Sequence, residues 1–236
     1  MVKTFDICCF ILLLIDQSAL KREAEILWTL HHPNIIELYG LHCSDDRFSI
    51  IMAYCEFRSA FHFFKNLKNE KEHWPIKMRI SFQVSNAMNY LHSLPTPMLH
   101  LDLKADNVLL DSQLNVKLCD FGLAEMKTLS RITQQIPGTA KTPKPCCGTI
   151  SHIAPEHLRS INSKRSTKSD VYSYGIFLWE LLAQIPAYAD SFNSEILMKQ
   201  IIDGGRPDST IDGPNAIRDI MVQAWDRDKE RRPTFD

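Results

Sequence analysis

His100-Leu101-Asp102-Leu103-Lys104-Ala105-Asp106-Asn107 sets two carboxylates, an ammonium and an amide within eight residues, and Asp120-Phe121-Gly122 adds a further carboxylate. Asn107 and Asp120 are oxygen donors suited to a hard divalent cation such as Mg2+. A carboxylate such as Asp102 can take up a proton, and Lys104, two residues on, can steady an anionic group. Taken one at a time, the plainer reading of these side chains is loop caps and solvated charges.

Ala154-Pro155-Glu156 completes a set of three motifs in fixed order. With these residues the sequence resembles the protein kinases, from about Leu20 onward, because the motifs match that family in order and spacing. The resemblance implies an α+β fold of two lobes. Residues 1–54 would form a truncated small N-lobe, a β sheet with one helix, and residues 55–236 a mainly helical C-lobe. It also implies ATP-dependent phosphoryl transfer to serine or threonine of protein substrates. That reaction needs charge neutralised around the phosphate oxygens and a hydroxyl held in line. Asp102 would then orient the hydroxyl and accept its proton, Lys104 would steady the transferred phosphate, and Asn107 and Asp120 would hold Mg2+ against ATP. The plainer readings lose force because all four residues fall in motif positions.

Further residues match the family's supporting frame. Glu23, in Arg22-Glu23-Ala24-Glu25, stands where a glutamate pairs with the strand lysine that touches ATP; a solvated helix carboxylate is its other reading. Leu27, Leu38, His100 and Phe121 match a stack tying that helix to the activation segment, which Gly122 continues. Met52 takes the gatekeeper position, Ala53-Tyr54-Cys55 the hinge at adenine, and Leu109 a further place at the nucleotide. Asp170 would anchor the catalytic loop, and Glu156 would pair with Arg232. Lys104 and Thr149 point to serine/threonine specificity. The stretches NYLHSLPTPMLHLDLKADNVLLD and STKSDVYSYGIFLWELL resemble most the receptor-interacting protein kinases, whose members signal in inflammation and cell death; the mixed-lineage type is second. Signalling adaptors or a second copy of the kinase are the partners this implies.

The sequence also departs from the pattern. The first glycine is Gly40, so the glycine-rich loop over ATP is absent, and its backbone phosphate donors with it. The strand lysine can only be Lys3, whose other reading is an N-terminal tail lysine. The expectation is a truncated or mis-spliced chain that also lacks the last helix. Leu101 replaces the arginine that clamps a phosphorylated activation segment, so phosphate on Thr128, Ser130, Thr133, Thr139 or Thr142 could not order that loop by the usual pairing. Control by dimerisation or partner binding follows. The competing function is a catalytically impaired kinase-like scaffold.

Composition bounds the alternatives. The 236 residues carry 27 Lys+Arg against 28 Asp+Glu, a formal net charge of −1, so no global basic field exists for nucleic acid or an anionic membrane. Seven cysteines without a C-x-x-C pair indicate a reduced, cytoplasmic protein rather than a disulfide scaffold or a zinc site at Cys146-Cys147. The nine apolar residues Ile7–Ile15 are less than half of the roughly 20 that cross a bilayer, and no cleavage site follows them. The histidines outside the catalytic loop show no ligand spacing, and Lys65, Lys68 and Lys71 read as a solvated helix face.

Elements must position these groups. Leu20, Ala24, Leu27 and Leu30 form a helical stripe started by Asp16 or Ser18 and ended by Pro33. Ile35–Tyr39 and Phe48–Met52 read as strands about Ser44-Asp45-Asp46, and Val108–Leu110 with Val116–Leu118 as a hairpin. Helices are expected over Lys77–His92, Val171–Leu182, Ser194–Ile202 and Ala216–Trp225, the second apolar almost all round and so buried. Glu125 to Gly148 reads as a long loop, functional or mobile.

Overall fold

Leu20, Ala24 and Leu27 turn one buried face inward along the first helix, α1 (Gln17–Thr29), with Leu30 buried just past its end, and the helix packs on a small antiparallel sheet. The computed structural model of the chain describes residues 9–10, 17–44, 47–66, 73–126, 149–160, 162–191 and 193–236. The sheet holds β1 (Cys9–Phe10), β2 (Leu38–Ser44) and β3 (Arg47–Met52), in the order β1-β3-β2. Cys9 and Phe10 thus lie at the sheet edge against Ile51 and Ile50, which gives part of the apolar run Ile7–Ile15 a strand role. Ile50 meets Leu20 and Ala24 beneath the sheet.

The strand expected over Ile35–Tyr39 begins later and extends further, over Leu38–Ser44. Ile35 and Ile36 are pulled elsewhere. Leu118 N–H donates to the Asn34 carbonyl at 2.8 Å and Ile36 N–H to the Leu118 carbonyl at 2.9 Å, so both isoleucines are buried against a second hairpin. Their apolar character reflects that tertiary packing, which overrides local strand preference.

That hairpin is β5 (Val108–Leu110) with β6 (Val116–Leu118), as expected; a shorter pair joins β4 (Met98–Leu99) to β7 (Glu125–Met126). Helices make up most of the remainder: α2 (Ala60–Lys65), capped by Ser59; α3 (Trp74–His92); and α4 (Pro155–Arg159). They are followed by α5 (Thr167–Ala183), α6 (Ser194–Ile202) and α7 (Asn215–Ala224). α3 starts three residues before the expected Lys77 because Pro75 fits the first turn, where its missing N–H is no loss. α5 is buried along most of its length, as its all-round apolar sequence requires. Gly175 lets α7 approach it: a Cβ there would lie 3.0 Å from Ala224 Cβ and 3.1 Å from the Met221 carbonyl oxygen.

Residues 127–148 are outside the described residues, and with them Thr128, Ser130, Thr133, Thr139, Thr142, Cys146 and Cys147. Lys3, Cys8, Asp16, Asp45, Asp46, Lys68 and Lys71 are outside them too, while Lys65 is exposed at the end of α2. Among the described residues no helix is long and apolar enough to cross a membrane.

Candidate active site

The loop between β4 and β5 is held from below by α5. Asp170, fully buried on that helix, accepts from His100 N–H at 3.1 Å and Leu101 N–H at 2.9 Å, and His92 Nε2 lies 2.8 Å from the same carboxylate. Leu101 has φ +67°, a conformation that a branched side chain adopts at a cost of roughly 1–2 kcal/mol. The Asp170 acceptors fix it there. The turn that follows aims the polar residues at one point.

At that point sits Asp102, buried. Asn107 Nδ2 donates to its carbonyl at 2.8 Å and to its Oδ2 at 3.0 Å. Lys104 Nζ is 3.0 Å from Oδ2 and donates to Thr149 Oγ1 at 3.0 Å. Thr149 N–H closes the ring on Oδ1 at 3.4 Å. With both Nδ2 protons committed to Asp102, the Asn107 side-chain Oδ1 is the amide's acceptor. A carboxylate, an ammonium, an amide and a hydroxyl from two segments 45 residues apart therefore converge.

Asp120 is tied in through its neighbours. Cys119 N–H donates to the Asn107 carbonyl at 3.0 Å, so the residue before Asp120 is bonded to Asn107 itself. Asp120 adopts φ +63°, which aspartate tolerates better than most residues, and Gly122 N–H points to its Oδ1 at 3.4 Å. A Cβ at Gly122 would sit 3.3 Å from that oxygen. Phe121 is buried, with its ring 4.9 Å from that of His100. His100 accepts the Asp102 N–H on Nδ1 and donates from Nε2 to the Cys119 carbonyl, the pattern of a neutral ring; burial holds its pKa below the ordinary histidine value. Burial, with Asp120 adding to it, pushes the Cys119 thiol far up.

Glu23 on α1 accepts the Phe121 N–H at 3.2 Å. Burial first, then the charge of Asp120, raises its pKa. The expected ion pair with Lys3 falls outside the described residues, and among those described no cation pairs with Glu23. Arg22 adds a second tie between α1 and the same segment, donating to the Ala124 carbonyl at 2.7 Å. Leu27 is buried in the main core and Leu38 packs against it, as does Met52 at the end of β3. Beyond Met52, Tyr54 is exposed and Cys55 buried, its thiol pushed up to about 11 by burial; Leu109 is half-buried in β5. Farther off, Glu156 and the wholly buried Arg232 side chain make a two-pronged pair at 2.8 Å on each oxygen.

Some residues here went unmarked in the sequence. His92 is an Asp170 partner and His152 pairs with Glu180 at 3.2 Å, so neither is an ordinary surface or core residue. Arg165 reaches Glu125 at 3.1 Å. Each partner is distant in sequence, and neither spacing nor periodicity could have found it.

Asn107 and Asp120 fit Mg2+ by chemistry: both offer hard oxygen, and such an ion is held by one or two protein groups with phosphate and water completing its shell. No group of three or more His, Cys, Asp or Glu that could hold a metal ion occurs among the described residues.

A small sheet with one helix, a helical body, Asp102, Lys104, Asn107 and Thr149 brought together, and Asp120 joined to them through the Cys119 backbone are features of a protein kinase domain. The model of the protein tyrosine and serine/threonine kinase family matches residues 14–236, and the chain belongs to that family. It is 33% identical over 228 residues to human receptor-interacting serine/threonine-protein kinase 1, 92% of this chain and 33% of the relative. To mouse ankyrin repeat and protein kinase domain-containing protein 1 it is 34% identical over 226 residues, 93% and 29%. Bovine receptor-interacting serine/threonine-protein kinase 2 is 31% identical over 232 residues, 93% and 42%. The chain thus spans about a third of the length of these curated relatives.

Proposed function

We propose that this chain transfers the terminal phosphoryl group of ATP to serine or threonine hydroxyls of protein substrates, with Mg2+, in cytoplasmic signalling of the inflammation and cell-death type. The observation carrying this reading is the set of donors around Asp102. Asn107 and Lys104 occupy one carboxylate oxygen; the other, Oδ1, has only the long contacts of Thr149 N–H at 3.4 Å and Thr149 Oγ1 at 3.5 Å, and is the oxygen that would accept from an incoming hydroxyl. Asp102 orients that hydroxyl and takes its proton. Lys104, already shared between Asp102 and Thr149, neutralises charge on the transferred group. Asn107 and Asp120 would hold Mg2+, which when bound screens the phosphate charge. Met52, Tyr54, Cys55 and Leu109 frame the adenine, and Lys3 would bring Glu23 into the nucleotide site. Asp170 sets the loop, and Glu156 with Arg232 braces the segment after it. Relatives named as receptor-interacting kinases support the signalling role and, with it, adaptors or a second copy of the chain as partners.

A second reading, a kinase-like scaffold working through partner binding, draws on Glu23, whose described partner is the Phe121 N–H rather than a cation. Incubation with radiolabelled Mg·ATP and mixed Ser, Thr and Tyr peptides separates the two. Label on serine or threonine, lost in Asp102→Asn, is the expected result; no transfer by the chain under any condition would favour the scaffold.

A further inference from the structure

Glu180 is a buried carboxylate on α5, away from the groups already assigned to phosphoryl transfer, and it joins three separate parts of the chain. Its Oε2 accepts from Ala105 N–H at 3.3 Å and lies 3.2 Å from His152 Nε2; its Oε1 accepts from Ala187 N–H at 3.1 Å. Ala105 directly follows Lys104 and precedes Asn107 by two residues. His152 is three residues beyond Thr149, whose N–H and hydroxyl face Asp102. One carboxylate therefore holds both strands of chain that close around Asp102.

Both nitrogens of the His152 ring have partners, and its backbone is tied to α5. Its Nδ1 is 3.0 Å from Ser151 Oγ, and its own carbonyl accepts from Ser173 Oγ at 2.9 Å on α5. Burial works against ionised Glu180, but the His152 imidazole and the two backbone N–H groups hold its carboxyl below the usual range. A buried polar pair of this sort is weak evidence for stability, since an apolar replacement of similar volume often does as well. What an apolar pair cannot supply is an acceptor of fixed direction, Oε2, shared by the two segments.

We infer that His152 and Glu180 are a positioning pair: they set the spacing between the loop bearing Lys104 and Asn107 and the segment bearing Thr149. This deepens the phosphoryl-transfer reading and rests on it for its catalytic consequence. His152 touches no reacting atom; it acts through Glu180 and Ala105 on Lys104 and Asn107.

The test uses the whole chain and His152→Leu, which removes the donor, beside His152→Gln, which returns an N–H at about the reach of Nε2. If His152→Leu does not fold, His152→Asn, whose amide is too short to reach Glu180, replaces it. Hydrogen–deuterium exchange in residues 101–107 and 149–154 should rise together by about tenfold in the donor-less variant, leave the hairpin 108–118 unchanged, and return toward wild type in His152→Gln. Unchanged exchange in 101–107 overturns the inference whatever the catalytic status of the chain. So does a uniform rise that includes the hairpin, which would make His152 a plain stability contact. In phosphoryl transfer, kcat should fall about tenfold with KM for ATP within about twofold, and recover in His152→Gln. A wild-type kcat in His152→Leu overturns the inference; a wild-type chain that transfers nothing overturns the functional reading, while the exchange result still decides the coupling.

Discussion

The Asp170 carboxylate accepts the backbone N–H of Leu101 at 2.9 Å across 69 residues of sequence, and this bond holds Leu101 in a left-handed conformation that points Asp102 toward Asn107 and Lys104. Asp170→Asn keeps one acceptor oxygen and turns an NH2 group against a buried donor. It is expected to destabilise the chain by about 2–4 kcal/mol in denaturant unfolding. A loss under about half a kcal/mol would show that the loop holds its own shape.

Glu156 and Arg232 give a pH dependence of known sign. Burial opposes ionised Glu156, yet the hydrogen bonds and charge of Arg232 hold its pKa below the ordinary 4.5. A carboxylate lowered in the folded state stabilises above its unfolded pKa and loses that contribution as pH falls through the folded value. Glu156→Gln should therefore cost stability at pH 6–7, about 3 kcal/mol since Arg232 is left buried without its counter-charge, and the difference from wild type should shrink below pH 4.5. Thermal unfolding of both proteins against pH checks it.

Glu23 has the opposite sign. Burial and Asp120 raise its pKa above 4.5, so its contribution is present at acid pH and lost as pH rises through the folded value. Glu23→Gln imitates the protonated form and can still accept from Phe121 N–H. It should raise Tm at neutral pH and leave it unchanged at pH 4. A lower Tm at neutral pH would mean that a cation, Lys3 foremost, engages the carboxylate in solution.

Gly175 is a packing requirement. Gly175→Ala gains about 1 kcal/mol of helix propensity but drives a methyl into Ala224 and the Met221 carbonyl, and overpacking of that kind typically costs about 1–3 kcal/mol. The expected outcome in chemical denaturation is net destabilisation. A more stable variant would show that α7 yields easily.

Much of this was legible in the sequence because it is local. Motif spacing marked Asp102, Lys104, Asn107 and Asp120, and periodicity marked α1, α3, α5 and the hairpin of Val108–Leu110 with Val116–Leu118. Ile35 and Ile36 lie outside β2 because their backbone bridges to Leu118 of the distant hairpin instead of β3, and an apolar pair looks the same in sequence whichever partner it meets. His92, His152 and Glu180 were invisible for a related reason: each gains its meaning from a partner brought close only by the fold.

Calorimetric titration of Mg·ATP into the chain, beside Asp120→Ala, tests the central claim most directly. Saturable binding that the substitution abolishes is the predicted result. Binding of equal strength by both proteins, or none by the unaltered chain, would contradict it.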